Sequence, residues 1–468
     1  MNRIVGLETE YGCLTTENAG PPGVIGRVRN WIFDKQLYGL ADLHQRDWDE
    51  PAGNGGFLFN GGRVYVDMGH LEYCTPECLS LIDVLRFDRA GDAILQRALR
   101  DLRIADQVSF IRNNVDHYSG ATFGCHENYL VRRTAPLSEG NVLSLLAFLT
   151  LRTLFCGAGR VGSTAAADLR AERSRNSVDT QFQISQRADY INNDLFEWVQ
   201  FNRAIINTRD EPLADARRYR RLHLLHGDTN VLPTSLLLKV GTTALMLDLL
   251  ELDHLPKLAL DDAVMTFRNI SHQPDGPWLV VLSGGRCVDS IELLFQFHER
   301  AASEFKGRDA ETDILLRIWA ETMKSLAADP QLLVGQVDWI TKRWLFEQFM
   351  EHEKIEWSDP WLKSQDLEFH HIDPARSLGQ TLDRTPADWQ LEPKDITRAT
   401  ACPPVNTRAG ARSHLMHLLK YQTIRYYVDW EVIDAEGFNS LNLLNPFDPA
   451  PSEAEVWSRQ FNPRNDLE

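Results

Sequence analysis

The chain has 468 residues, of which 43% are hydrophobic and 25% charged, and the 29 glycines and 21 prolines are ordinary numbers for a folded globular protein. This composition excludes collagen-like, fibrous and wholly disordered proteins, and at about 150 residues per domain the length allows up to three domains. The formal net charge of −17 argues against a protein that mainly binds nucleic acid or an anionic membrane.

The hydrophobic periodicity places most predicted strands before most predicted helices. Strands with alternating apolar residues are predicted at 4–11, 57–67, 108–113 and 127–131. Helices with a period of 3.6 residues are predicted at 82–103, 141–156, 239–253, 288–304 and 310–327. This order favours an α+β fold in which helices back an antiparallel sheet, and it disfavours a doubly wound fold.

Two segments interrupt this pattern, and one boundary is predicted near the C-terminus. Residues 13–56 contain two stretches rich in Gly and Pro and are predicted to form a long, partly helical insertion. Residues 163–181, rich in Ser, Ala and Arg, are predicted to form an exposed loop, and either segment could cover an active site. The Pro-Pro pair at 403–404 suggests a large catalytic domain over 1–400 and a small C-terminal domain over 401–468.

The N-terminus and the cysteines favour a cytoplasmic protein. The first residues lead directly into a Glu-x-Glu motif, without the apolar segment of a signal peptide. The seven cysteines are odd in number and scattered, as is typical of proteins in a reducing compartment. The most apolar stretch, 142–156, is interrupted by Arg152 and is predicted to be a buried helix rather than a membrane span.

The first predicted strand places two carboxylates on one face. Glu8 and Glu10 lie two residues apart, so both side chains project from the same side of the strand. Like charges this close are costly unless a cation lies between them, which points to a divalent metal. A solvated strand face is an equally common explanation of an isolated Glu-x-Glu, and this alternative stays open.

The second predicted strand ends in another carboxylate. A period of two places Tyr65 and Asp67 on one face, and Glu72 follows five residues after Asp67. If the two strands are neighbours, these carboxylates come within reach of the first pair, and such an acidic cluster is tolerable only with a cation such as Mg²⁺. A single Asp at a strand end is more often a turn or cap residue.

Basic residues follow further along the chain. Arg209 lies in an Asn-Thr-Arg-Asp-Glu-Pro stretch and could hold a phosphate bidentately. For Arg217 and Arg218 the simpler interpretation is a helix surface that pairs with the acidic residues just before it. The sequence has no Walker A or Gly-x-Gly-x-x-Gly motif, so an enzyme that uses ATP here would need another kind of phosphate site.

An ordered series of motifs resembles one protein family. The motifs are GLETEYG at 6–12, NGGRVYVD at 60–67, GCHENY at 124–129, SQR at 185–187, NTRDEP at 207–212 and RRLH at 220–223. Together they resemble the Pup ligase/depupylase family, carboxylate-amine ligases that are related to glutamine synthetase. The similarity continues through most of the chain, to the NTR motif at 406–408.

The resemblance implies a curved antiparallel sheet backed by helices, a small C-terminal domain, and binding of ATP with Mg²⁺. It assigns the catalytic role to Asp67 and the metal to Glu8, Glu10, Glu72, His126 and His223. It assigns ATP binding to Tyr65, Arg209 and Trp430. The modifier is expected to be acidic and disordered, so a positive groove is predicted at Arg187, Arg218, Arg220 and Arg221.

The implied reaction joins the side-chain carboxylate of the C-terminal Glu of Pup, or of a Pup-like modifier, to a lysine of a target protein. It proceeds through an acyl phosphate, Asp67 accepts the proton of the lysine amine, and the target is marked for proteasomal degradation. The alternative is a depupylase or deamidase, which hydrolyses the isopeptide bond or a Gln amide with ATP as cofactor. A small-molecule ligase and a non-catalytic binding protein are weaker alternatives.

Residues outside the shared motifs bear on the choice between the two activities. The short region 13–59 favours the ligase, whereas the spacing between Asp67 and Glu72 is that of the depupylase. Leu71 replaces the Pro that is usual in the family, which indicates a divergent branch.

Overall fold

The computed structural model describes residues 1–47, 50–117, 120–162, 181–197 and 203–461. In this part of the chain the strands are β1 (Val5–Thr15), β2 (Gly39–Ala41), β3 (Gly55–Leu58), β4 (Arg63–Asp67), β5 (His70–Cys74), β6 (Val108–Ile111), β7 (Cys125–Arg132), β8 (Arg160–Val161), β9 (Phe182–Gln183), β10 (Asn193–Phe196), β11 (Ala204–Asn207), β12 (Tyr219–Leu224), β13 (Leu279–Val281), β14 (Cys287–Asp289), β15 (Tyr426–Val428), β16 (Val432–Ala435) and β17 (Leu441–Asn442).

The helices in the same residues are α1 (Gly20–Phe33), α2 (Leu81–Asp101), α3 (Glu139–Leu151), α4 (Thr153–Cys156), α5 (Pro233–Glu251), α6 (Ala263–Ser271), α7 (Ser290–Phe305), α8 (Ala310–Ala328), α9 (Asp338–Glu353), α10 (Pro360–Phe369), α11 (Leu378–Thr381), α12 (Pro393–Ala399), α13 (Ala409–Leu419) and α14 (Ser452–Arg459). The five helices predicted from periodicity are confirmed, although the predicted 141–156 helix is divided between α3 and α4.

One large sheet organises the described residues. Its strand order is β10-β11-β12-β7-β1-β5-β4-β3-β2, and β6 pairs with the far end of β1. All neighbours are antiparallel except β10 and β11, which are parallel. The predicted α+β class, a sheet backed by helices, is confirmed, and the parallel pair is a departure from the purely antiparallel sheet that was expected.

The two faces of the sheet differ because side chains alternate along each strand. On β1, Val5 and Leu7 are buried in the core formed with the helices, while Glu8 and Glu10 project from the opposite face. Tyr11 also points to the helical side, where its hydroxyl donates to Asp92 of α2 at 2.8 Å. The helices therefore cover one face, and the carboxylates lie on the other.

Two predictions about the strands need correction. The predicted strand 57–67 is a hairpin of two strands, β3 and β4, because the chain turns at 59–62. β5 was not predicted as a strand, and β10, β11 and β12 follow the first helices, so strands are not confined to the first part of the chain. The insertion at 13–56 is partly helical as predicted, since it contains α1, whereas 163–180 of the predicted loop lie outside the described residues.

Two helical stretches, 139–156 and 233–251, are long and apolar enough by composition to cross a membrane. Their most apolar windows are 78% and 89% buried inside the protein, as is usual for core helices. Leu145, Phe148, Leu237 and Leu245 belong to the main hydrophobic core beneath the sheet. The buried helix predicted at 142–156 is therefore confirmed.

The residues from 401 to 461, which we call the C-terminal unit, contain a three-stranded sheet of β15, β16 and β17 with helices α13 and α14. Their core includes Leu415, Ile433 and Trp457, and it is shared with Leu40 of β2 and Phe57 of β3. The C-terminal unit therefore packs on the edge of the large sheet, and the exact domain boundary at residue 400 stays a prediction.

Candidate active site

Five neighbouring strands bring the predicted acidic and histidine residues to one face of the sheet. Glu10 on β1 lies opposite Glu72 on β5, and Glu72 lies opposite Tyr65 on β4. On the other side of β1, Glu8 lies opposite His126 on β7. β12 adds His223 next to β7, so residues far apart in sequence meet because of strand order.

The first group of side chains, which we call the histidine cluster, contains Glu8, His126 and His223. Their candidate ligand atoms all lie within 4.8 Å of one another. His126 Nδ1 is 3.1 Å and His223 Nε2 3.4 Å from Glu8 Oε2, while the Asn128 amide donates to Glu8 Oε1 at 2.9 Å. Glu8 is therefore surrounded by groups that stabilise its negative charge.

The charges within the histidine cluster suit metal coordination. Burial opposes ionisation of Glu8, yet its contacts with His223 and His126 hold its pKa well below the usual range. Burial lowers the pKa of His223 to about 4, so this ring is neutral near pH 7. Its buried Nε2 lies 3.4 Å from Glu8 Oε2 without a hydrogen bond of good geometry, so this nitrogen and the carboxylate oxygen face the same point, as two ligands of one cation would.

The second group, which we call the carboxylate cluster, contains Glu10, Asp67 and Glu72. Each offers a carboxylate oxygen within 4.8 Å of the others. Burial, and then the charges of Glu8, Glu10 and Asp67, raise the pKa of Glu72 well above its usual value. A divalent cation would relieve this repulsion, and three carboxylate oxygens are the ligands that Mg²⁺ prefers. The residues present therefore fit the predicted metal.

A tight turn places Asp67 at the edge of this face. β4 ends at Asp67, which lies opposite His70, the first residue of β5. The two residues between them, Met68 and Gly69, both have positive φ, at 44° and 90°. Two such residues in a two-residue hairpin form the type I′ turn that matches the twist of the strands. Asp67 is thus the last strand residue before an exposed turn, where a macromolecular substrate can approach.

A cavity of about 220 Å³ lies beside the histidine cluster, of which Glu8 lines it, and Tyr65, opposite Glu72 on β4, separates it from the carboxylate cluster. Glu8, Tyr65 and Arg221 form its polar side, and Trp430 contributes from the C-terminal unit. The rest of the lining includes apolar groups of β1, β7 and residues 212–214, together with the charged Glu77 and Arg408. Arg63 stacks over the Tyr65 ring at 4.2 Å and is itself paired with Glu50 at 2.5 Å. Of the predicted ATP-binding residues, Tyr65 and Trp430 line this cavity.

The structure places the third predicted ATP-binding residue outside the cavity lining. Arg209 is 56% exposed, and its guanidinium forms an ion pair with Glu211 at 2.5 Å. Its main-chain N–H donates to Asn207 in the turn that follows β11. To contact a phosphate in the cavity, Arg209 would have to leave Glu211.

The four predicted modifier-binding arginines do not form one groove. Arg187 is only 2% exposed, and its guanidinium donates to the main-chain oxygens of Phe123 and Leu225, so it cannot contact a protein modifier in this structure. Arg221 lies in the site, where it donates to Asn128 at 3.0 Å. Arg220 donates to the main-chain oxygen of Arg133, and Arg218 stacks over Tyr219.

The basic run is a strand and a turn rather than the surface of a helix. Arg220 and Arg221 belong to β12, whereas Arg217 precedes that strand and pairs with Asp215 at 3.0 Å. The predicted pairing with nearby acids is confirmed for Arg217, but the predicted helix is wrong. The alternation of Arg221 and His223, two residues apart, was the sequence signal for a strand.

Two amides belong to the site although the sequence did not single them out. Asn128 holds Glu8, and Asn207 lies 3.4 Å from His223 Nδ1. Period two would have placed Asn128 on the same face as His126. Glu127, between them, points to the helical side, where burial is outweighed by Arg152 and its pKa falls to about 2.

Carboxylates and imidazoles beside a partly open cavity on one sheet face form an arrangement that suits divalent cations next to a small-molecule ligand. The model of the family described as Pup-ligase protein matches residues 3–434. The chain belongs to this family, so the resemblance seen in the motifs is confirmed.

Individual relatives cover nearly the whole chain. The Pup--protein ligase of Gordonia bronchialis is 34% identical over 441 residues, which are 92% of this chain and 92% of the relative. The depupylase of Acidothermus cellulolyticus is 33% identical over 488 aligned residues, 96% of this chain and 94% of that protein. Both activities of the family are therefore represented at similar distance.

Two solved structures share the fold. The complex between the prokaryotic ubiquitin-like protein Pup and its ligase PafA has a TM-score of 0.84 and 30% identity, and the alignment covers 99% of this chain and 92% of the other. The Pup ligase PafA in complex with ADP has a TM-score of 0.78 and 30% identity, with 97% and 96% coverage. The sheet and helices described above are thus those of a Pup ligase.

Proposed function

We propose that the protein is an ATP-dependent ligase that joins Pup, or a Pup-like modifier, to lysines of target proteins and so marks them for degradation. The observation that carries the proposal is Asp67, which lies in a carboxylate cluster next to Tyr65 of the cavity lining, in a chain that belongs to the Pup ligase family. The solved relatives bind Pup and ADP, which supports the same ligands here.

The proposed reaction has two steps. The side-chain carboxylate of the modifier's terminal Glu attacks the γ-phosphorus of ATP, which gives an acyl phosphate and releases ADP. The lysine amine then attacks the acyl carbon, an isopeptide bond forms, and phosphate leaves. An amine is protonated near pH 7, so a base must accept its proton, and we assign this role to Asp67.

The other residues of the site bind and orient the substrates. We assign the nucleotide to the cavity lined by Tyr65 and Trp430, and the cations to the two clusters. Mg²⁺, when bound, would neutralise phosphate charge as the γ-phosphoryl group is transferred. Arg221 lies 3.8 Å from Glu8 Oε1 and lines the cavity, so it provides a positive charge between the cluster and the nucleotide.

Three further assignments accompany this proposal. We assign Mg²⁺ as the metal, because the carboxylate cluster supplies the oxygen ligands that it prefers. We assign the protein to the cytoplasm, where ATP and protein lysines are available. We divide the chain into a catalytic domain over 1–400 and a C-terminal domain over 401–468, since the elements after 400 have a sheet of their own.

Intact-mass spectrometry with nucleotide analysis tests the function directly. The protein is incubated with Mg-ATP, a lysine-rich acceptor and a Pup-type peptide that ends in either Glu or Gln. Adducts formed from the Glu peptide, with one ADP for each, would support the ligase. Conversion of Gln to Glu, or release of a preformed conjugate, without matching ATP consumption would replace it with the depupylase.

A further inference from the structure

Trp430 is the aromatic residue that the C-terminal unit contributes to the cavity. It lies in the tight turn between β15 and β16, outside the large sheet, so strand pairing does not fix its ring. Its main-chain N–H donates to the side chain of the adjacent Asp429 at 2.8 Å and not to a strand. The position of this side of the cavity therefore depends on side-chain contacts, one of which is the Phe57 ring of β3, edge to face with the Trp430 ring at 5.0 Å between centres.

Arg412 of α13 provides the polar contacts of Trp430. Its side chain is fully buried, and one guanidinium nitrogen donates to the Trp430 carbonyl at 2.9 Å. The guanidinium carbon lies 5.0 Å from the centre of the Trp430 ring and 5.4 Å from that of Phe57. The same side chain thus holds both the main chain and the ring of Trp430.

Arg412 is anchored in turn to the catalytic part of the chain. Its guanidinium donates to Glu77 Oε1 at 2.9 Å and Oε2 at 2.7 Å, and to the main-chain oxygen of Gly61 at 2.7 Å. Glu77 also accepts from Arg408 at 2.7 Å, and both of these residues line the cavity. We call Glu77, Arg408 and Arg412 the Glu77 ion-pair cluster.

The ion pairing in this group is stable at neutral pH. Burial would raise the pKa of Glu77, but Arg412 and Arg408 lower it to about 2. Glu77 is therefore ionised, and its two arginine partners leave a net positive charge in the group. This charge lies next to a cavity that we assign to an anionic nucleotide, so the electrostatics and the geometry agree.

We propose that Arg412 is a positioning residue for the nucleotide: it holds Trp430 against the cavity, and its pair with Glu77 joins the C-terminal unit to the catalytic sheet at that point. The inference rests on the proposed function, because it takes the cavity as the ATP site. Arg412 does not line the cavity itself, so its effect on the nucleotide passes through Trp430.

The test compares Arg412→Lys with Leu415→Ala. Lysine keeps the charge, but its three donors cannot replace the four hydrogen bonds that the planar guanidinium makes with Glu77, Gly61 and Trp430. Leu415 is on the same helix and fully buried in the core of the C-terminal unit, but it does not line the cavity, so its truncation controls for general loosening of the unit. For each variant, KM for ATP, kcat, the melting temperature and ADP affinity by calorimetry with Mg²⁺ are measured.

For Arg412→Lys we expect KM for ATP and Kd for ADP to rise roughly tenfold, with kcat at saturating ATP within about threefold of the unmodified protein. Leu415→Ala should lower the melting temperature at least as much without that rise. An equal rise in KM in the two variants at similar melting temperature would reduce Arg412 to a structural residue and overturn the inference. So would a fall in kcat at unchanged KM.

The two proposals fail in different ways. If the unmodified protein binds ADP but does not ligate the modifier, the proposed function is wrong. The calorimetric comparison of the variants would still decide the role of Arg412. Absence of ADP binding in the unmodified protein would overturn the inference, because the cavity would then not hold a nucleotide.

Discussion

The histidine cluster and the carboxylate cluster lie on adjacent strands of one sheet face, but the pKa values of their buried carboxylates are shifted in opposite directions. Glu8 has His126, His223 and Asn128 around it, and its pKa is well below the usual range although burial opposes this. Glu72 has other carboxylates around it, and burial together with their charges raises its pKa well above the usual value.

This difference indicates how each cluster depends on a cation. Glu8 already has His126 and Asn128 as polar partners, so the arrangement of the histidine cluster depends less on a metal. The carboxylate cluster stores repulsion that a divalent cation would relieve. The catalytic Asp67 that we propose belongs to this second cluster, so the cation and the base share one set of carboxylates.

Replacement of Asp67 separates the role of a base from the role of a metal ligand. Asp67→Asn keeps the size of the side chain but removes the base, so we expect ligation to fall by about 10³-fold or more. ADP affinity with Mg²⁺ should stay within a few-fold, because Glu10 and Glu72 remain. Adduct formation by mass spectrometry and ADP calorimetry measure the two effects.

An exposed carboxylate serves as the control for that substitution. Asp210 is 47% exposed and pairs with Arg133 outside both clusters. Asp210→Asn should leave turnover unchanged. If Asp67→Asn instead loses nucleotide binding along with turnover, the main role of Asp67 is to bind the metal, and another residue must act as the base.

Glu72 and Glu8 can be compared directly by removing each charge. Glu72→Gln should lower ligation about a hundredfold, because a cation ligand is lost, while raising the free energy of unfolding of the metal-free protein. Glu8→Gln should lower activity but also lower that free energy, since its hydrogen-bonded charge is stabilising. Urea unfolding with a chelator present, followed by activity with Mg²⁺, gives both quantities.

Opposite signs for the two stability changes would support the comparison. If both variants are destabilised by similar amounts, the carboxylate cluster does not store repulsion, and its oxygen atoms must be neutralised by other means.

The donor atoms also predict different cation preferences. Imidazole nitrogen binds Mn²⁺ more readily than Mg²⁺, whereas carboxylate oxygen suits both. His223→Asp should therefore reduce the preference for Mn²⁺ over Mg²⁺ about tenfold, as measured by competition for bound Mn²⁺ in electron paramagnetic resonance. Glu72→Asp, which keeps an oxygen ligand, should leave the preference nearly unchanged. An unchanged ratio in His223→Asp would place both cations in the carboxylate cluster.

The sequence predicted that Glu8 and Glu10 share one strand face, but it did not predict which strands lie next to them. A period of two correctly placed Glu8 with Glu10, because both positions lie within one strand. Which strands are neighbours depends on long-range packing, so the approach of Glu72 was predicted only on the condition that the strands are neighbours, and that of His126 and His223 followed only from the resemblance to a family. β12 was missed because its arginines lie on a partly exposed strand, where the apolar pattern is weak.

Contacts of the C-terminal unit were the least predictable part. Trp430 came from the resemblance alone, and no local pattern indicated Arg412, since it is a charged residue in a buried position on a helix. Its burial is possible only because Glu77, more than 300 residues earlier, supplies the opposite charge. Single-sequence periodicity contains no information about such a distant partner.

Glu77 is a third buried carboxylate, and its positive partners are two arginines of the protein, Arg408 and Arg412. Because its pKa is lowered to about 2, its ion pairing stabilises the folded protein fully above the usual carboxylate pKa of 4.5, and this stabilisation is lost as the pH falls from there towards 2. The shift corresponds to about 3 kcal/mol of unfolding free energy. Glu77→Gln should therefore be less stable than the unmodified protein at pH 7, and the gap should narrow by about that amount on acidification, as measured by urea unfolding at several pH values. A gap that stays constant with pH would mean that Glu77 titrates alike in the folded and unfolded chain, and that shape rather than charge joins the C-terminal unit to the sheet.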